Sequence, residues 1–158
     1  MRMGITGHRG LSTKTERQVR ALLAEVIRDQ DPNGLVAVSC IADGPDAWFA
    51  EMILQLGGSL EVVVPAQEYR SGLPENHHAT YDALLREAVE THSTGLVESD
   101  SNAHMAGSEI LVGLVDVLLA VWDGQPARGY GGTADVVAYA HETGVPVRVI
   151  WPAGATRD

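Results

Sequence analysis

Glycine gathers beside charged side chains at three places in this sequence, each after a short apolar run. The densest is Asp123-Gly124 followed by Gly129-Tyr130-Gly131-Gly132-Thr133. Such a loop at a helix start turns backbone amides and the positive end of the helix dipole toward an anion, and the missing side chains let its oxygens come close. Arg128 adds charge there. The second place is Gly7-His8-Arg9-Gly10, where glycine permits a tight turn and Arg9 offers a forked pair of hydrogen bonds to phosphate. The third is Asp43-Gly44-Pro45-Asp46, where a carboxylate suits the hydroxyls of a ribose. Each has a plainer reading beside it: a flexible loop capped by Thr133, a turn with solvated His8 and Arg9, and a helix cap at Asp43 and Gly44. Asp135, in the first turn of the helix that Thr133 would open, either serves the helix dipole or faces the anion.

The same spacings exclude two common nucleotide motifs. No Gly-Lys-Ser/Thr follows the glycines, so the loop is not a P-loop, and it follows a late strand rather than the first, so it is not the usual dinucleotide fingerprint. Cys40 is the only cysteine, which leaves no intrachain disulfide and no cysteine zinc site. His77 and His78 beside Glu75 read as solvated loop residues rather than metal ligands, and no metal or resident cofactor is expected. Trp48, Trp122 and Trp151 read as core or pocket wall.

Positioning those loops requires strands that end at them. Residues 2–6, 35–40, 60–64, 115–122 and 145–151 are short apolar runs, and 95–98 is a further short candidate. Helical spacing links Val19, Leu22, Leu23, Val26 and Ile27, with Thr13 and Glu16 at capping-box distance and a stop at 31–34. Gly44 and Pro45 suit the cap and first residue of a helix over 48–56. After a polar loop at 67–78, Tyr81, Leu84, Leu85, Ala88 and Val89 mark the inward face of a third long helix. Further helices fit 103–113 and the segment from Gly131-Gly132-Thr133 to Gly144. Strand and helix alternate, which predicts an α/β fold, a Rossmann-like three-layer sandwich with a mainly parallel sheet. One domain over 1–152 with a tail at 153–158 accommodates it, and ligands of such sheets bind beyond the carboxyl ends of the strands.

Composition narrows the partners. Hydrophobic residues make up 45% and the formal net charge is −10, so a general electrostatic grip on nucleic acid or anionic membrane is disfavoured and direct nucleic-acid binding is not expected. Residues 1–10 contain no signal-peptide core, and the apolar run 110–122 is too short to span a bilayer and includes Asp116, which predicts a cytoplasmic protein without a membrane segment.

Three stretches together resemble the SLOG superfamily, Rossmann-like domains related to the DNA-processing protein DprA and to the lonely-guy phosphoribohydrolases often labelled lysine decarboxylases. They are Ile5-Thr6-Gly7-His8-Arg9, Ala42-Asp43-Gly44-Pro45-Asp46, and the run from Leu118 through Asp123-Gly124 joined to Gly131-Gly132-Thr133-Ala134-Asp135. The resemblance implies binding or sensing of a nucleotide or nucleotide-derived ligand. Its phosphate would lie at Arg9 and the Gly131, Gly132 and Thr133 amides, with Gly7, His8, Gly44 and Gly124 in the surrounding turns and Asp43 or Asp123 on ribose. Some relatives instead cleave the N-glycosidic bond of nucleoside monophosphates with a Pro-Gly-Gly-x-Gly-Thr-x-x-Glu motif. Here Val136 stands at the glutamate position, Asp135 is one residue early, and the leading proline is missing. The competing expectation is therefore an N-glycosidase or deoxyribosyltransferase in which Asp135 or Glu109 supplies the carboxylate. A third is an interaction subunit with a vestigial pocket. Relatives often dimerise, which implies a homodimer.

Overall fold

The computed structural model describes residues 1–157. Its strands are β1 (Arg2–Gly7), β2 (Val36–Ser39), β3 (Ser59–Val64), β4 (Glu90–Ser93), β5 (Val117–Val121) and β6 (Val147–Val149). All pair in parallel in the order β4-β3-β2-β1-β5-β6. Strands with helices on both faces are buried on both sides and so read as continuous apolar runs; Val62, Val63, Leu118, Leu119, Ala120 and Val121 are all inaccessible to solvent. The helices are α1 (Thr13–Arg28), α2 (Pro45–Gln55), a single turn α3 (Tyr69–Gly72), α4 (His78–Glu87), α5 (Ser101–Gly113) and α6 (Thr133–Glu142). α2 packs between α1 and α4, while α5 packs on α6. Phe49 and Ile53 of α2 are wholly buried against the sheet, and each such side chain contributes roughly 1.5–3 kcal/mol.

From β1 to β4 the chain steps outward in one direction, then returns past β1 to lay down β5 and β6 on its other side. The order therefore reverses between β1 and β5, and loops leaving those two strands part in opposite directions to open a crevice.

Several elements differ from the sequence expectation. The fourth strand is 90–93 rather than 95–98. Glu90, Thr91 and Ser93 are exposed at the sheet edge, so no apolar run announces them, and residues 96–97 instead accept backbone bonds from Gln67 and Glu68 at 2.9 and 3.0 Å. α4 ends at Glu87, so Val89 is 69% exposed and bonds through its amide to Leu60 O at 2.8 Å. Ser12, one residue earlier than Thr13, caps α1 by accepting the Thr15 amide at 3.2 Å. The expected loop at 67–78 contains α3 and the 3-10 turn Glu75–His77. No helix among the described residues is long and apolar enough to cross a membrane. Residues 153–157 turn back on the body, with the Trp151 indole donating to Ala155 O at 3.2 Å; the last residue of the expected tail, Asp158, lies outside the described residues.

Candidate functional site

A cleft of about 350 Å³ opens at the crevice, lined by the end of β1, the loops after β2 and β5, and walls from α3 and α5. Its construction begins with Gly7, which pairs with Val121 across the parallel ladder. A Cβ on Gly7 would stand 2.8 Å from Val121 Cβ and 3.1 Å from Pro45, so only glycine lets β1, β5 and the start of α2 converge. His8 follows, 3% exposed, its amide bonded to Val121 O at 3.0 Å and its ring edge-on to Trp151 at 5.7 Å. Burial pulls the imidazole below its usual value, partly offset by Asp123. Nε2 lies 3.1 Å from both the Asp123 amide nitrogen and Asp123 Oδ1. The neutral ring accepts from the amide when its proton is on Nδ1 and donates to the carboxylate when it is on Nε2, so either tautomer ties the β1 loop to the β5 loop.

Arg9 borders the cleft but directs its guanidinium to Asp43, with contacts of 2.6 and 2.9 Å to Oδ1. Asp43 is thereby a partner of Arg9 at the rim. Asp46, rather than Asp43, is among the residues that line the cleft. The β2–α2 loop reaches it through Ile41, a β-branched residue held in the left-handed region at φ +47°. That bend is pinned from two sides: Ser39 Oγ accepts the Ile41 amide at 2.9 Å and donates to Asp46 O at 3.0 Å, while buried His77 bonds Ile41 O at 2.9 Å. Burial pushes the Asp46 carboxyl up to about 7, against the lowering effects of the Ala42 amide and Arg9; Asp43 adds to the rise. Cys40 and Tyr69, both nearly buried in the cleft wall, are likewise raised by burial, and His104 is lowered by it, so this end of the cleft holds neutral groups at pH 7.

At the other loop, Gly131 has φ +85° and a Cβ there would meet Ser101 O at 3.0 Å, which fixes glycine at this turn. Its amide donates to Asp135 Oδ2 at 2.9 Å, and the Gly132 amide to Gly129 O at 3.3 Å. The two glycine amides expected to hold an anion are thus engaged within the loop. Thr133 and Ala134, first in α6, have no carbonyl of their own helix to bond, and Thr133 lines the cleft.

Of the residues singled out in the sequence, Gly7, His8, Arg9, Gly131, Gly132 and Thr133 meet at the cleft. Asp43 and Gly44 form its rim, Gly44 as the N-cap of α2 at φ 98°. Asp123 lies in a neighbouring recess with Arg157 and Gln125, and Gly124 is an exposed turn. Glu109 is exposed on α5. Asp135 braces the loop rather than lining the cavity, whereas Val136, 2% exposed, does line it. Asp46, Cys40, Tyr69, His104 and Arg157 were not foreseen there. Asp46 stood in the quoted Asp43-Gly44-Pro45-Asp46 run, but which of its two carboxylates turns inward depends on the Ile41 bend. His77, expected in solvent, is buried because it holds that bend.

Among the described residues, Glu61, Glu90 and His92 could together hold a metal ion. Arg2 already occupies both Glu61 oxygens at 2.8 Å and His92 sits 2.9 Å from one of them, holding Glu61 down at about 2. The cluster is built as an ion-pair network across β1, β3 and β4, outside the cleft lining.

The architecture, an all-parallel six-stranded sheet with helices on both sides and its crevice at the β1–β5 reversal, is a Rossmann-like α/β fold. Among solved structures it is similar to DNA processing protein A of Helicobacter pylori, a protein with a single-stranded DNA binding mode, at TM-score 0.67 and 18% identity over 94% of this chain and 64% of that one. DNA processing protein A of Streptococcus pneumoniae gives 0.66 and 21% over 94% and 49%. The molybdenum cofactor binding protein of the phototrophic bacterium Rippkaea orientalis gives 0.59 and 17% over 94% and 74%. The chain thus spans about two-thirds and one-half of the two DNA processing proteins. No family model matches the sequence, and no curated protein does.

The first of these likenesses corrects one expectation. Net acidity predicts a chain that stays off nucleic acid, yet a protein of this fold has a single-stranded DNA binding mode. Net charge averages the whole surface, whereas a strand meets only a local groove, and Arg9 and Arg157 both border the cleft here.

Proposed function

We infer that the cleft binds a phosphorylated small molecule, a nucleotide or nucleotide derivative, and that the protein acts as a binding or sensing module. The observation that carries this is the meeting, in one cavity at the sheet's reversal point, of the α6 start at Thr133 with the side chain of Arg9. Phosphate would accept from the Thr133 and Ala134 amides and the Thr133 hydroxyl, and Arg9 would swing from Asp43 to join it. A volume of about 350 Å³ lies within the usual range for small-molecule sites. Binding is favoured over glycosidic cleavage because Val136 gives the cavity an apolar surface where the cleaving relatives place a glutamate. The homodimer and the cytoplasmic location implied by the sequence belong to the same proposal.

The test is mass spectrometry of small molecules released from the purified protein, followed by calorimetry of nucleoside monophosphates on wild type and Arg9→Ala, with free base followed by chromatography. A phosphorylated compound should copurify, and Arg9→Ala should weaken binding at least tenfold. Unchanged affinity in Arg9→Ala would remove the phosphate assignment, and rapid base release would replace the sensor with a hydrolase.

A further inference from the structure

We propose that Arg157, brought to the cleft by the chain that follows β6, donates to the phosphate of the bound ligand, and that binding thereby fastens segment 152–157 against the site. This rests on the phosphate reading above and adds to it a ligand contact from outside the loops that the sequence marked.

After Ile150 the chain turns back along the body. The Ala155 amide donates to Pro152 O at 3.1 Å, the Trp151 indole to Ala155 O at 3.2 Å, and the Arg128 guanidinium to Arg157 O at 3.0 Å. Trp151 is itself edge-on to buried His8, so the segment is anchored to the loop after β1 as well as to the loop after β5. These bonds engage the backbone at 155 and 157, and the Arg157 side chain takes part in none of them. That side chain lines the cleft together with Arg9 and Thr133, and it also lines the neighbouring recess that holds Asp123.

The two arginines of the cleft lining are committed differently. Arg9 contacts Asp43 at 2.6 and 2.9 Å, whereas Arg157, half-buried, forms no ion pair among the described residues. Drawing Arg9 onto a phosphate breaks an existing ion pair, a cost that Arg157 does not carry. The charge of Arg157 is felt at the loop after β1: burial is the main cause of the lowered His8 imidazole, and Arg157 lowers it further. A guanidinium fork that shares a cavity with the unbonded amides at the start of α6 gives an anion donors from two separate parts of the chain. Segment 152–157 has few bonds to the body and opens locally at low cost, and a phosphate tied to both α6 and Arg157 adds one more anchor against that opening.

The experiment titrates ribose 5-phosphate and AMP into wild type by calorimetry and carries the tighter of the two through Arg157→Ala, Arg157→Gln and Arg157→Lys. Hydrogen exchange of the amides at 153–157 is followed with and without saturating ligand. Arg157 accepts from Arg128 through its carbonyl, so all three variants keep that bond and should share the wild-type urea midpoint. Arg157→Ala and Arg157→Gln should each weaken binding about tenfold, as expected for one lost charge-assisted contact, while Arg157→Lys stays within about threefold of wild type. Exchange at 153–157 should slow on binding in wild type and Arg157→Lys and stay unchanged in Arg157→Ala. Affinity retained in Arg157→Ala or Arg157→Gln overturns this inference alone. So does a loss in Arg157→Lys as large as in Arg157→Ala, or wild-type exchange that ignores the ligand. No binding of either compound by wild type overturns it together with the phosphate reading.

Discussion

Asp46→Asn has a consequence for folding that needs no ligand. In the folded chain the carboxyl holds its proton to about pH 7, against 3.8 for an ordinary aspartic acid. That is a proton held about a thousandfold more tightly, and at 1.36 kcal/mol per tenfold the full linkage is about 4 kcal/mol. The sign follows from the raised value: the folded state gains the proton, so this stability is fully present below pH 3.8 and is lost as pH rises through about 7. Between pH 5 and pH 8 the loss amounts to about 2.5 kcal/mol. Asparagine has nothing to ionise and keeps an acceptor for the Ala42 amide. Urea denaturation of both proteins at pH 5, 6, 7 and 8 should show the variant gaining on wild type by about 2.5 kcal/mol across that range, levelling off above pH 8. Taking the difference cancels every other titrating group, including His8 and His104. A difference that stays flat from pH 5 to pH 8 would refute the argument, because the carboxyl would then ionise in the folded chain as it does in water.

Other perturbations address the rest of the site. Gly131→Ala should lose about 2 kcal/mol in urea unfolding, since its backbone lies at φ +85° and the new Cβ would stand 3.0 Å from Ser101 O. Asp135→Asn keeps an oxygen for the Gly131 amide but removes a negative charge from the helix start, so ribose 5-phosphate should bind about threefold more tightly, roughly 0.7 kcal/mol; weaker binding would place Asp135 on the ligand. Glu61→Gln should destabilise the fold by about 2 kcal/mol at pH 7, because it leaves the partly buried hydrogen bonds to Arg2 and His92 poorly matched. In wild type the Glu61 contribution is present above pH 4.5 and fades as pH falls toward about 2, which an acid titration followed by circular dichroism reads directly. Buried His8, held below its usual 6.5, removes stability as pH falls below that value, and His8→Gln should flatten that part of the profile.

The architecture was legible because the buried strands are fed by composition: a sheet covered on both faces needs uninterrupted Val, Leu and Ala, and 60–64 and 117–121 announce themselves. β4 was not legible, since an edge strand of Glu, Thr, His and Ser has no apolar signature. At the cleft, glycine next to charge marked the loops after β1 and β5, and Gly7, His8, Arg9, Gly131, Gly132 and Thr133 meet there, whereas Asp123 and Gly124 do not. Spacing could not say what each amide or carboxylate bonds. The Gly131 amide turns to Asp135, Arg9 turns to Asp43, and the inward carboxylate is Asp46. Tyr69 and His104 come from elements with no local glycine or motif, so only packing brings them to the wall.

The bend at Ile41 ties two parts of the molecule that are far apart in the chain. The excursion between β3 and β4 supplies Tyr69 to the wall and, through His77, the clasp on Ile41 O at 2.9 Å that sets where Asp46 points. Wall and floor are therefore one mechanical piece. A graft that replaced 66–78 to reshape the wall would also release a backbone that resists its own conformation, and the carboxylate below would move with it. Selectivity in such a pocket cannot be re-engineered loop by loop: the β3–β4 excursion and the β2–α2 turn have to be exchanged together, as a matched pair.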